Sequence, residues 1–238
     1  MGEQKIKNLT IGDIQVEVIR KNIKNMNFSV HPPNGRVRLT VPKRTEEDSI
    51  RLFAISKLPW IKKQRAKFHQ QERIPPREYV SGESHYVSGQ RYRLNVVETT
   101  IGKQLVERRN NDYLDLYARP GRDKSTRERI MQEFYRDYLK KEIPEYISGW
   151  EPIIGVNVKE WNVKRMKTKW GTCNPRAKRI WINLELAKKN PRCLEYIIVH
   201  EMVHLLEHYH NDRFKAYMDQ FIPNWKSIKE ELNSMIFD

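Results

Sequence analysis

The stretch LEYIIVHEMVHLLEHYHNDRF, residues 194–214, limits the fold more than any other part of the chain. A largely apolar run leads into His200, Glu201 and His204, a spacing that puts the two imidazoles one turn apart on the same face of a helix. A helix of that composition has to be buried against other elements, and its polar groups then need partners. The rest of the chain must therefore supply a packed domain around it. With 238 residues, 38% hydrophobic and 32% charged, it is long enough and has the balance of a globular protein with a polar surface.

The segments on either side read as an ordered series. Alternation in IQVEVIR (14–20) and RVRLTVP (36–42), with HPPNG between, predicts a β-hairpin in which Val37, Leu39 and Val41 share one face. Residues 45–71 have helical spacing, with Thr45 as N-cap and Pro59 as a kink or the start of a second helix; the helix ends before the prolines of RIPPREY. Strands follow in HYVSGQRYRLNVVE, KQLVERR and DYLDLYA. RPGRDK marks a boundary, which gives a β-rich N-terminal region with one helical segment (1–120) and a second domain (121–238). The second domain opens on a helix from Ser125 to Tyr146. Strands are expected in VNVKEWNV, KTKWGTCN and RIWINLEL, then a helix from Asn190 and Pro191 and a last helix from Asp212 to the end. Strands and helices do not alternate as βαβ, so the fold class is α+β.

Forty-five Lys and Arg against thirty Asp and Glu leave a net charge of +15, a balance suited to polyanions, and nonspecific DNA is an expected partner. The basic residues recur in RKNIKNMN, RVRLTVPKR, WIKKQRAK and VKRMKTKW. Two cysteines, Cys173 and Cys193, offer no disulfide framework, and no apolar run reaches membrane length. The expectation is a cytoplasmic protein without membrane contact.

Four of the seven histidines lie between residues 200 and 210. His200 and His204, at i and i+4, can both bind one metal ion, and Glu201, one step around the helix, can take a proton from a water that the ion activates. A zinc site of this kind needs a third protein ligand. His208 continues the ladder, but at ~1.5 Å rise per residue it stands ~12 Å along the axis from His200. His210 can reach the ion if the helix stops after about Glu207 and the chain turns back, so it is placed ahead of His208; Glu230 and Glu231 are the remaining alternatives. Cys173 is set aside as a fourth ligand because a thiolate would close the open position. Trp170 and Trp181 are expected in the core. RIWINLEL is expected beside the motif helix, with an edge open to an extended peptide. Tyr209, His208 and Tyr217 are near enough in sequence to stabilise an oxyanion, and none is assigned.

The segment from Lys169 to Phe214 resembles the YgjP-like metallopeptidases, zincin-type proteins related to SprT-like proteins. Trp170, Gly171 and Cys173 match its first block, Asn183 and Leu186 the second, and His200, Glu201, His204, Leu205, His210 and Phe214 the third. RKNIKNMNFSVHPPNGRVRLTVPKR, SKLPWI and SGESHYVSGQRYRL extend the resemblance over nearly the whole chain. Thr172, Met202, Tyr209 and Asn211 depart from it. The resemblance implies a zincin-like domain with Zn2+ on His200, His204 and His210 and Glu201 as catalytic base of peptide hydrolysis. Family members often accompany type I restriction and modification genes, and SprT-like relatives include proteases that digest DNA-bound proteins. The alternative is a non-enzymatic, zinc-containing accessory of a restriction-modification system that binds DNA or a partner. A structural site needs four ligands and no base, so Glu201 favours the enzyme.

Overall fold

Alternating burial through Ile14–Lys21 and Arg36–Pro42 makes both segments strands, yet the two are not arms of one hairpin. The computed structural model, which describes residues 6–31, 35–70 and 77–234, divides into two compact units, 1–74 and 75–238. The first unit holds β1 (Ile6–Ile11), β2 (Ile14–Lys21), β3 (Asn27–His31) and β4 (Arg36–Pro42) in the order β1-β2-β4-β3. β2 and β4 run parallel with Val16 opposite Val37, and the antiparallel partner of β4 is β3, with Val30 opposite Val37. The short NFSVH segment is thus the missing arm, supplying Phe28 and Val30 to the core; residues 32–34 of the expected turn lie outside the described residues.

Val37, Leu39 and Val41 share the buried face, where they meet Ile50 and Ala54 of α1 (Glu47–Ser56) and Ile61 of α2 (Leu58–Gln70). Pro59 stands at the second position of α2, where a missing N–H costs nothing. Thr45 is not the cap. Glu46 holds that position without a side-chain bond, while the Thr45 carbonyl accepts from Arg20 Nη1 at 2.6 Å. The expected stop at RIPPREY falls on residues 71–76, outside the described residues.

In the second unit, β5 (Ser84–Val87), β6 (Gln90–Glu98), β7 (Leu105–Arg108) and β8 (Tyr113–Ala118) form a sheet of order β5-β6-β8-β7. The long helix α3 (Lys124–Ile154) starts at Asp123, whose carboxylate accepts from the Thr126 amide, and ends at Gly155 with φ 76°. It passes Pro144 and Pro152 and outruns its expected end by eight residues. Each internal proline costs ~3 kcal/mol, but burying Ile143, Ile147 and Ile154 at ~1.5–3 kcal/mol apiece offsets that cost. Val87, Leu94, Leu114 and Leu116 share one core with Ile130 and Leu139 of α3 and with the motif helix. The division consequently falls at 74/75 and not at 120/121: RPGRDK is only a turn, and the boundary is set by which apolar faces cover each other.

A second small sheet has the order β10-β11-β9, from β9 (Glu160–Lys164), β10 (Gly171–Asn174) and β11 (Arg179–Asn183). β11 stops at Asn183, three residues before the expected end, because the Asn183 carboxamide accepts from the Glu185 amide and starts a 3-10 turn, Leu184–Lys188. The helix α4 (Pro191–Val203) follows, capped by Asn190. Two helices, α5 (Asp212–Phe221) and α6 (Trp225–Ser234), replace the expected single one, since Pro223 interrupts it. The fold class is α+β, as expected. Among the described residues no helix is long and apolar enough to cross a membrane. Cys173 and Cys193 are free.

Candidate metal centre

Helix α4 ends at Val203, with His204 as C-cap, one turn earlier than expected. Short-range bonds from the Leu205 and Leu206 amides to Met202 and Val203 tighten the exit, and the chain returns through residues 207–211 to the start of α5. This return brings His210 back over the helix. Its Nε2 stands 3.0 Å from Nε2 of His200 and 3.1 Å from Nε2 of His204. Two imidazole nitrogens bound tetrahedrally to zinc at 2.0–2.1 Å lie about 3.3 Å apart. His208 is exposed and takes no part in the cluster, which among the described residues is the one group of three or more His, Cys, Asp or Glu side chains able to share an ion.

The protonation states fit a cation. His204 Nδ1 donates to the Glu207 carbonyl at 3.1 Å, which leaves the lone pair on Nε2, facing the other two rings. Burial, then the charges of His204, His210 and Lys229, push His200 down to about 3. Burial is also the first cause that lowers His204 and His210. All three are neutral near pH 7, the form that binds metal. His200 Nδ1 is buried without a hydrogen-bond partner, so the position of this ring comes from packing. Phe214, 2% exposed, supplies that packing: its ring centroid lies 4.9, 4.6 and 4.8 Å from those of His200, His204 and His210. Asn211 caps α5 by accepting from the Phe214 amide, which places the ring beneath the three imidazoles.

Glu201 is 5% exposed and stands on the floor of a cleft of about 490 Å³. Burial pushes its carboxyl up to about 8, against the opposing charge of Lys169. Gly171 of β10 packs directly on it. A Cβ at position 171 would meet Glu201 Oε1 at 2.6 Å, Cγ at 2.8 Å and Cδ at 2.9 Å. A glycine inside a strand is a sequence sign of close approach, although what approaches here is known only from the fold. Asn183 holds this wall in place: fully buried, it donates to the carbonyls of Met166 and Lys169 and accepts from the Met166 and Glu185 amides.

Two expectations change at the wall. The strand with an open edge beside α4 is β10, because β11 is the central strand of its sheet. Trp170 is half-buried and lines the cleft with its back to the core; Trp181 is half-buried between Arg179 and Lys164. Cys173 also lines the cleft, but burial and the Glu201 charge push its thiol up to about 12, and it does not join the histidine cluster. Lys229 and Leu232 of α6 also line the cleft, a contribution for which the sequence carries no local signal.

Three neutral imidazoles converging beside a buried carboxyl and an open strand edge are the features of a metallopeptidase. The YgjP-like metallopeptidase domain matches residues 24–235, and the chain belongs to that family, whose chemistry requires a divalent metal. Among solved structures, the metallopeptidase zymogen of Pyrococcus abyssi abylysin is similar over 38% of this chain and 90% of that one, with 17% identity and a TM-score of 0.36. No curated protein matches the chain.

Proposed function

We propose that the second unit is a zinc-dependent endopeptidase in which His200, His204 and His210 hold the ion and Glu201 is the general base. The convergence of the three Nε2 atoms carries this reading. A zinc ion bound there supplies Lewis acidity to a peptide carbonyl and to water. Glu201 accepts the proton of the attacking water and returns it to the departing amine; its raised proton affinity suits the second half of that task. The free edge of β10 pairs with an extended substrate backbone, and Asn183 keeps that edge in register with α4. Glu207 holds the His204 tautomer through its carbonyl. The accessory-protein alternative needs a fourth ligand, and the donor group among the described residues ends at three.

A second, separable reading concerns DNA. Residues 1–74 hold sixteen Lys and Arg against seven Asp and Glu, a net +9, whereas 75–238 hold twenty-nine against twenty-three, a net +6. We propose that the first unit supplies nonspecific DNA contact in the cytoplasm and that DNA-associated proteins are among the substrates. The peptidase reading is tested by incubating zinc-loaded protein with an unfolded polypeptide, with chelator and Glu201→Gln as controls. Cleavage that persists in the Glu201→Gln protein removes Glu201 from its role.

A further inference from the structure

The cleft has an unbalanced charge. Glu201 is the one acidic side chain that lines it and is buried, while Lys169, ahead of β10, and Lys229, on α6, line it and are both exposed. Among the described residues neither ammonium has a carboxylate partner. On α6, Lys226 pairs with Asp219 at 3.4 Å and Glu231 is taken by Arg192, but Lys229 has only the Trp225 ring, 5.6 Å from Nζ to the centroid.

Two uncompensated cations lining a cleft attract an anion and repel a cationic side chain. We propose that this cleft takes peptides that carry a carboxylate beside the scissile bond, and that Lys229, with Lys169, receives it. The proposal rests on the peptidase reading for the bond that breaks, and on the lysines alone for the group that binds. The carboxylate has two possible sources in a peptide, an Asp or Glu side chain and a free C-terminus, and both offer the same group to the ammonium. A charged hydrogen bond at an exposed site sets the size of the effect at about tenfold in affinity.

The test uses peptides that differ only by Glu or Gln next to the cleaved bond, each with a free or an amidated C-terminus. Cleavage by the zinc-loaded full chain gives the Glu/Gln ratio of kcat/KM; tryptophan fluorescence gives the same ratio for binding to the Glu201→Gln protein. The wild type is expected to favour Glu by about tenfold in both readouts. Lys229→Gln should bring the ratios toward one, Lys229→Glu should shift preference to a Lys peptide, and Lys226→Gln, on the same helix outside the cleft, should leave them in place. A preference that survives amidation assigns the carboxylate to the side chain, and one confined to free C-termini assigns it to the chain end; either supports the proposal. Equal handling of all peptides by the wild type overturns it. So does a Lys229→Gln loss that is the same for Glu and Gln peptides, because that is the signature of a group acting on the transition state of every substrate. If no peptide is cleaved the peptidase reading falls, while the binding ratio still decides the role of the lysines.

Discussion

Replacing Gly171 with alanine isolates the placement of Glu201 from every other property of the site. The added methyl would lie 2.6 Å from Oε1, where ordinary contact begins at 3.4 Å, so one of the two groups has to yield. The strand is held on both sides of the position: Gly171 pairs with Ile182, and the Trp170 carbonyl accepts from the Asn183 amide at 2.9 Å. Glu201 is therefore the group that moves, by about 0.8 Å, and a misplacement near 1 Å at a reacting group costs on the order of a hundredfold in rate. That corresponds to about 2.7 kcal/mol in the barrier. The overpacking itself costs about 1–3 kcal/mol of stability. The three atoms nearest the new methyl all belong to Glu201, so zinc stoichiometry is expected to stay at one. The assay is kcat/KM on an unfolded polypeptide, beside elemental analysis and a denaturation curve. A Gly171→Ala protein that cleaves at the wild-type rate refutes the reasoning, and so does one that loses zinc together with activity.

The ligand assignment makes a ranked expectation: His200→Ala, His204→Ala and His210→Ala each lose tight zinc binding, and His208→Ala keeps it, as read by competition with a chromophoric chelator; the opposite order for 208 and 210 would reassign the third ligand. In metal-free protein the Glu201 carboxyl rises from 4.5 in the unfolded chain to about 8 when folded. Below pH 4.5 both states hold the proton; above it the unfolded chain releases its proton first, so native stability falls by about 1.4 kcal/mol per pH unit, on the order of 5 kcal/mol by pH 8. Glu201→Gln removes that loss, so its stability advantage over the wild type, from urea melts of chelated protein, should widen from pH 5 to pH 8, and a constant offset would deny the burial penalty. If the first unit contacts DNA, the affinity of the full chain should fall linearly with log salt at ~0.9 per duplex phosphate contact; a flat salt response removes DNA as a partner.

Wherever chemistry and periodicity were local, the chain could be read without its fold. The i, i+4 histidines with Glu201, the helix start at Asn190 and Pro191, and the alternation of Val37, Leu39 and Val41 all rest on residues within a few positions of one another. The choice of His210 over His208 as the imidazole that meets the other two is local as well, because helix rise carries His208 away by simple distance. Tertiary structure decided the pairings between distant segments: β3 and not β2 as the hairpin arm of β4, strands 84–118 in the same core as α3 and α4, and β10 as the edge beside the site. It also decided that Gly171 supports Glu201 from thirty residues away, that Phe214 packs under all three imidazoles, and that Lys229 faces the cleft from α6. The physical reason is the same in each case. A local pattern sets what one element prefers to bury, but many pairings satisfy that preference, and the choice among them depends on how all the buried faces fill one interior at once.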